Sequence, residues 1–519
     1  MTALEQLRRS IDAHQQRLRS SVPGDRAKAI TALVHAIDRR SDDVDAEPRD
    51  DLIVGRHRAV SGGNTALQLC LEAMATGADP DGWAEPFLRE CGDIAVAEQV
   101  VTHCETGFMR VVEAGDGAFD AWIASRRPPA SWLERADFDW WASRLAHQHR
   151  AELTALQAGT MHHDEDGARN RRIATLLVES MSYQIGYPPD ASIGGCTIRT
   201  YGDVLVELIA WALGQRGDAT GPQSGRVLAE TIAAKAPAGL AAVERAIAAF
   251  TLDAENAAYH ASVPGIAAAP LVRVDADRLV WSLHGLITEP MLFLTRELRR
   301  RFAQEYHDSA HLREGVFRAD LYALFQDKRF VTSANRIELR RASGDIRTDI
   351  DAAAFDRKSG TLAFFELKSQ DPFARSTAEL YRQRDNLLHA NRQVSGVLTW
   401  LNRGGAADDL LNRIDQRTAK RFRVQKVYPF VLGRYLAHFP DGPEPDRRAA
   451  WGAWPQILRL LDGQPLAGAN PLASLFTRLS KDAPPIAVFG DLPAHEIAIG
   501  GDRLTVYPSY SAYQQRVSR

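Results

Sequence analysis

Apolar residues recur at helical spacing through the first half of the chain. In the segments 4–18 and 30–37 they stand three or four positions apart, as on the buried face of an amphipathic helix. The same spacing predicts further helices over 64–74, 93–101, 132–149, 173–185, 201–213, 225–235 and 240–250. Loops rich in Gly, Pro and Asp separate these segments. We therefore predict a long, mostly helical region over residues 1–290, with room for more than one subdomain.

The pattern changes after residue 290, where short apolar runs begin to alternate with helical segments. Helices are predicted over 291–306 and 312–326, and strands over 330–339, 348–355 and 362–368. A capping-box sequence, Ser376-Thr-Ala-Glu379, then opens a long helix, and 424–432 has the pattern of one more strand. The order helix, strand, strand, strand, helix, strand predicts a compact α/β module over 291–437.

A third region is predicted after a boundary marked by Pro440, Pro443 and Pro445. It contains one helical pattern near 454–461 and a hairpin signal at Gly500-Gly501. We expect 438–519 to form a small α+β region. The predicted fold class is therefore a multidomain α plus α/β protein.

Composition limits the classes of function without selecting one. Of the 519 residues 45% are hydrophobic and 25% are charged, as in a soluble globular protein. The formal net charge of −3 excludes a global basic field, so any nucleic-acid surface has to be a local patch. Arginines and lysines crowd the segment 296–347. These basic side chains are equally suited to binding the phosphates of a nucleic acid and to forming salt bridges with the acids interspersed among them.

No segment predicts export or insertion into a membrane. The apolar run 204–213 is interrupted by Glu207 and is too short for a membrane span. The first residues lack the apolar core of a signal peptide. The four cysteines have no paired spacing, which favours reduced thiols over a disulfide framework. We expect a cytoplasmic protein with no membrane partner.

The predicted hairpin 348–370 concentrates acids and one lysine. Asp349 and Asp351 alternate onto one face of its first strand, and Glu366 and Lys368 onto one face of its second. Neighbouring strands lie about 4.8 Å apart, so carboxylates from both can bind one metal ion. Burying a charged side chain in so apolar a segment costs free energy unless the charge is paired or binds a metal ion. The plainer interpretation is a solvated hairpin with cross-strand ion pairs, each worth about 0–1 kcal/mol.

Two carboxylates and a lysine are the parts of a metal-dependent phosphodiesterase. A bound metal ion lowers the pKa of a water ligand and neutralises charge that develops on the phosphate. A lysine beside it can orient or deprotonate that water, or stabilise the transition state. The spacing in the hairpin therefore predicts a site that cuts phosphodiesters.

These residues resemble the signature of the PD-(D/E)XK nuclease superfamily, an acid on one strand followed by Glu-X-Lys on the next. Asp351 matches the first acid, and Glu366-Leu367-Lys368 matches the second element. Ile350 stands where the name of the signature has proline, as in many members. The resemblance covers about 295–437 and implies a restriction-endonuclease-like fold, a mixed sheet flanked by helices. It also implies Mg²⁺ or Mn²⁺ bound by Asp351 and Glu366, with Asp349 as an accessory acid.

The resemblance implies two further positions. Members often carry an acid on the helix before the sheet, and Glu314 is placed for it, although an i,i+4 pair with Arg318 is the plainer interpretation. Many also place a glutamine on the helix after the lysine. Gln383 and Gln393 are both candidates, with exposed helical positions as the plainer alternative, and we include Gln383 in the predicted site.

The function that follows is a metal-dependent nuclease, with DNA the expected substrate by resemblance. The helical region would be a sensor, specificity or assembly module, binding a partner protein or a second copy of the chain. Such an architecture suits a restriction or anti-phage defence effector, by analogy alone. The alternatives are an RNA-cleaving enzyme of the same fold and an inactive nuclease-like scaffold.

Overall fold

The structure is a computed structural model, and the predicted helix over 132–149 lies outside the residues it describes. These residues are 2–43, 55–73, 82–124, 163–181, 185–215, 221–262, 269–340, 346–370, 377–437, 445–461, 466–482, 494–507 and 512–514. Within them no helix is both long enough and apolar enough to cross a membrane.

Helices are spread over the whole described chain. In chain order they are α1 (Ala3–Ser21), α2 (Arg26–Asp43), α3 (Gly55–Glu72), α4 (Ala84–Glu105), α5 (His163–Met181), α6 (Ile198–Gly214), α7 (Gly225–Ala233), α8 (Leu240–Ala249), α9 (Ala257–Ala261), α10 (Leu283–Ile287), α11 (Pro290–Arg301), α12 (Ala303–Asp308), α13 (Ala310–Tyr322), α14 (Thr377–Leu401), α15 (Ala406–Ile414), α16 (Gln416–Ala419), α17 (Trp454–Leu461) and α18 (Pro471–Lys481). A short 3₁₀ turn, Ala323–Phe325, follows α13.

The strands of the described chain begin at residue 109, after the first four helices. They are β1 (Met109–Gly115), β2 (Ala118–Ile123), β3 (Ser192–Ile193), β4 (Cys196–Thr197), β5 (Gln223–Ser224), β6 (Thr251–Leu252), β7 (Leu271–Arg273), β8 (Arg278–Trp281), β9 (Phe330–Thr332), β10 (Ile337–Arg340), β11 (Ile346–Ile350), β12 (Ala352–Asp356), β13 (Thr361–Lys368), β14 (Lys426–Gly433), β15 (Ala450–Ala453), β16 (His495–Ile499) and β17 (Asp502–Tyr507). With helices and mixed sheets together, the chain is a mixed α/β protein.

Where the structure describes the first region, the predicted helices are present, but strands accompany them. The predictions over 201–213, 225–235 and 240–250 are confirmed as α6, α7 and α8. Strands β1 and β2 form an antiparallel hairpin that we did not predict. Its turn includes Gly115, Asp116 and Gly117, all with positive φ, a conformation that glycine adopts without steric cost. A second sheet, in the order β5-β8-β7-β6, lies between α6 and α10 in sequence.

The described residues after 438 add their strands to sheets formed with earlier parts of the chain, where the sequence predicts a small α+β region. Strand β15 joins the central sheet beside β14, in parallel. Strand β17 pairs in parallel with β2, with Leu504 opposite Phe119, and β16 follows it at the sheet edge. The side chains of Leu504 and Val506 join the same buried cluster as Leu7 and Ile30 from the first two helices. Burial of these side chains thus ties the last strands to the first helices.

The central sheet has five strands in the order β15-β14-β13-β12-β9. Strands β9, β12 and β13 are antiparallel neighbours, whereas β13, β14 and β15 run parallel. Successive side chains of β13 point to opposite faces of the sheet and so belong to two different hydrophobic cores. Ala363, Phe365 and Leu367 pack with side chains of α13, α17 and α18, whereas Leu362 and Phe364 pack with α14 and α15. Burial on both faces explains why this strand is an almost continuous apolar run.

The predicted strand over 330–339 is divided in the structure. Only β9 belongs to the central sheet, and β10 turns away to pair with β11 in a separate antiparallel ribbon. The predicted strand over 348–355 is likewise divided into β11 and β12, with a bend at Asp351 between them. Asp351 therefore lies where the chain leaves the ribbon and enters the central sheet.

The turn between β12 and β13 is fixed by a buried ion pair at Asp356. This carboxylate, fully buried, accepts hydrogen bonds from Arg329 at 2.6 and 2.9 Å and from the Ser359 hydroxyl at 2.6 Å. Burial on its own would raise the pKa of Asp356, but the bonds from Arg329, Ser359 and the Lys358 amide outweigh it and lower the pKa. Arg329 also donates to the carbonyl of Gly468 at 2.9 Å. The pair therefore holds the segment before α18 against the hairpin.

Replacing Asp356 by asparagine is expected to lower the free energy of unfolding by about 3 kcal/mol at pH 7, because Arg329 loses its charged partner. Urea unfolding would measure the loss, and the exposed neighbour in Lys358→Ala is the matched control. Since the folded protein lowers the pKa of Asp356, the stabilisation is present above its ordinary value of 3.8 and is lost as pH falls below it. An equal stability of the two variants at pH 7 would contradict this role of the pair.

Candidate active site

The register of the hairpin brings the two predicted metal ligands together. Ala352 pairs with Phe365, so Asp351 and Glu366 are the next residues along the two strands. The Asp351 Oδ2 atom accepts a hydrogen bond of 2.8 Å from the Leu367 backbone amide. Both side chains are buried, with 6% of Asp351 and 2% of Glu366 exposed. The structure thus places two carboxylates side by side inside the protein.

Alternation along β13 directs the polar side chains towards α14. Leu362 and Phe364 pack with this helix, and Glu366 and Lys368 continue the same face of the strand. On β12 the residues of this face are Ala353 and Phe355, which places Asp351 there as well. The acids and the lysine therefore lie between the sheet and α14, at the end of β13.

A chain of polar contacts extends from the two carboxylates to the ribbon. The Lys368 Nζ atom lies 2.7 Å from Glu366 Oε1 and donates a hydrogen bond of 3.0 Å to Gln393 Oε1. Gln393 in turn donates through Nε2 to Asp349 Oδ1 at 3.3 Å. The other oxygen of Asp349 lies 3.2 Å from an Arg336 nitrogen. These contacts fix the position of the ammonium beside the carboxylates.

Burial makes both carboxyl groups hard to ionise. It is the main cause that raises the pKa of Asp351 to about 6, and the negative charges of Glu314 and Asp349 add to it. The Leu367 amide and Lys368 act in the opposite direction. Burial and the neighbouring Asp351 raise the pKa of Glu366 well above its usual range. Two buried acids that repel each other form a site that a cation would stabilise.

Lys368 is positively charged in this environment. Burial on its own would lower its pKa, but the negative charges of Glu366, Asp351 and Glu314 outweigh burial and raise the pKa. A lysine with a raised pKa does not accept a proton at neutral pH. Of the three roles predicted for Lys368, this geometry favours orienting the water and stabilising charge over deprotonating the water.

The carboxylate pair fits a divalent cation that keeps most of its water ligands. The Glu366 Oε1 atom is buried and lies 2.7 Å from the Lys368 ammonium, its ion-pair partner. A carboxylate has two oxygens with about four lone-pair sites, so this contact leaves acceptor capacity for a cation. Among the described residues, no group of three or more His, Cys, Asp or Glu side chains is arranged to hold a metal ion, so any ion here has to rely on two protein carboxylates. Mg²⁺ commonly binds to one or two carboxylates and completes its shell with water and phosphate.

The structure separates the two candidate glutamines. Gln393 is in direct contact with Lys368 and Asp349, as described above. Gln383 lies nearer the start of α14, is 7% exposed, and lines a cavity beside the site. Its backbone carbonyl accepts a hydrogen bond of 3.4 Å from the Gln370 side chain. Gln393 is thus the glutamine placed to act on Lys368, and Gln383 belongs to the cavity wall.

Glu314 lies on α13 and lines the same cavity as Lys368. Its charge acts on both Asp351 and Lys368, so it belongs to the electrostatic surroundings of the site. His389 was not predicted. It precedes Gln393 by one helical turn, and burial and the charge of Lys368 lower its pKa. His389 stands four residues before Gln393 on α14. This spacing would have identified His389 as a neighbour of the site, once Gln393 was known to contact Lys368.

Comparison with protein-family models, with curated proteins and with solved structures finds no match to this chain. The class of site therefore rests on the residues themselves.

Proposed function

We propose that this chain is a metal-dependent nuclease with a restriction-endonuclease-like core. The observation that carries the proposal is the pair of buried carboxylates, Asp351 and Glu366, with the charged Lys368 at 2.7 Å from the second. The mixed sheet with α13 and α14 packed against it supports it, because a mixed sheet flanked by helices is the architecture that the resemblance implies. An inactive scaffold would have little reason to keep two mutually repelling acids in its interior.

Each residue of the site has a distinct part in the proposed reaction. Asp351 and Glu366 would hold Mg²⁺ or Mn²⁺, which supplies an acidified water molecule and positive charge at the phosphate. Lys368 stabilises the negative charge that builds up on the phosphate oxygens in the transition state. Gln393 keeps the ammonium in place through its 3.0 Å contact, and Asp349 in turn orients Gln393. By the family resemblance DNA is the proposed substrate, and a restriction or defence role is proposed by analogy alone.

Cleavage of labelled nucleic acid tests the proposal directly. Purified protein would be incubated with duplex DNA, single-stranded DNA and tRNA in Mg²⁺ or Mn²⁺. We expect strand cleavage that EDTA stops and that added Mg²⁺ restores, because the carboxylates alone do not activate water. The absence of cleavage of all three substrates in both metals would favour the scaffold instead.

A further inference from the structure

A polar cavity adjoins the candidate site and shares Lys368 with it. Its volume is about 450 Å³, within the range of roughly 300–1,000 Å³ found for small-ligand pockets. Its walls come from α11, α12, α13, the end of β13 and the first turns of α14. The cavity therefore lies where the end of the helical region meets the sheet.

Cations outnumber acids in the cavity wall. The cations are Arg296, Arg299, Arg313, Lys368 and Arg382, and the acids are Glu314, Glu379 and Asp385. Glu379 is already engaged by Arg296 at 2.7 Å and by Arg299 at 2.6 Å. The wall is net positive, which suits a phosphate group.

Amide side chains form the other polar part of the wall. Gln370 and Gln383 are buried, with 5% and 7% exposed, and Asn386 lies at the surface end. The Gln370 Oε1 atom and the Arg296 Nε atom are buried without a hydrogen-bond partner. An unpaired buried polar atom costs about 1–3 kcal/mol, so a ligand with complementary groups would gain from binding here. Amide side chains are well suited to the edges of nucleobases.

We infer that this cavity takes one unpaired nucleotide of the substrate, so that the enzyme acts on single-stranded nucleic acid. The arginines receive the phosphate, the amides receive the base, and the shared Lys368 brings the adjoining phosphodiester to the carboxylates. A nucleotide stacked and paired within a duplex does not fit a cavity of this size unless it is first extruded. The inference rests on the proposed nuclease function.

Binding without metal tests the cavity apart from cleavage. In EDTA, fluorescence anisotropy would compare labelled 12-nucleotide dT and rU single strands with a blunt-ended 12-base-pair DNA duplex. Two variants alter the wall: Ala310→Phe places a ring at a half-buried position, and Arg382→Ala removes an exposed cation. Arg403→Ala, at an exposed position just after α14 and outside the cavity, is the matched control.

The protein is expected to bind a single strand at least 10-fold more tightly than the duplex, and each wall variant should lose roughly 10-fold of that affinity. Arg403→Ala should bind as the unaltered protein does. The ratio of dT to rU affinity reports the combined effect of the 2′-hydroxyl and the thymine methyl group, the two groups by which these strands differ. Circular dichroism checks folding, and Arg382→Ala decides the outcome if Ala310→Phe does not fold.

Equal affinity for the single strand and the duplex, or an unchanged affinity in Arg382→Ala, would overturn the inference. Cleavage in Mg²⁺, measured in parallel, separates this failure from failure of the nuclease proposal. Protein that cuts duplex and single strand alike keeps the nuclease function and refutes the nucleotide cavity. Protein that binds single strands through the cavity but cuts nothing keeps the cavity and refutes the nuclease.

Discussion

Replacing Lys368 by methionine is expected to lower the rate of phosphodiester cleavage by roughly 100- to 1,000-fold, the usual effect of removing one charge-stabilising donor from an active site. Methionine keeps the apolar stem of the side chain and removes only the ammonium. The loss should appear in kcat, because Lys368 is placed to act on charge that develops in the transition state.

Lys358→Met provides a matched control for the same chemical change. Lys358 lies in the turn of the same hairpin but is exposed and remote from the carboxylates. Its substitution should leave the cleavage rate unchanged. A Lys368→Met enzyme that cuts as fast as the Lys358→Met enzyme would remove Lys368 from the mechanism.

Replacing Glu366 by glutamine is expected to abolish cleavage and to weaken Mn²⁺ binding at least 100-fold, because glutamine has no charge to offer a divalent cation. Isothermal titration of Mn²⁺ would measure the affinity. Asp349→Asn is the comparison, since Asp349 contacts Gln393 and Arg336 and is the acid we predict to be accessory. Equal Mn²⁺ affinities of the two variants would contradict the assignment of Glu366 as a ligand.

The same Glu366→Gln variant should be more stable than the unaltered protein when no metal is present. The fold raises the pKa of Glu366, so ionising this group at pH 8 costs folding free energy, and the amide avoids that cost. In EDTA at pH 8 the variant is therefore expected to unfold at a higher urea concentration than the unaltered protein. Mn²⁺ should then raise the melting temperature of the unaltered protein but not that of the variant.

Local patterns in the sequence predicted the helices and the hairpin because their causes are local. The apolar run 362–368, together with Asp356 and Gly360 of the turn before it, is enough to define β13 and its pairing with β12. The neighbourhood of Asp351, Glu366 and Lys368 follows from that register alone. Residues 201–213 were similarly predictable, since the spacing of their apolar side chains defines the buried face of α6.

Features that depend on distant parts of the chain were not predictable in this way. Strand β17 pairs with β2 across most of the sequence, and no property of either segment alone specifies the partner. Local sequence was likewise unable to show which of Gln383 and Gln393 contacts Lys368. They are about 15 Å apart along α14, so which one reaches Lys368 depends on how the helix lies on the sheet.

The parallel pairing of β15 with β14 also determines where this protein can be divided. A fragment that ends at residue 437 would leave β14 as a bare sheet edge, with the backbone amides and carbonyls of Phe430–Gly433 open to another chain. It would also lack α17 and α18, which cover one side of the central sheet. The smallest piece that retains a closed hydrophobic core around the carboxylates therefore extends at least to Lys481, well beyond the proline-rich boundary in the sequence.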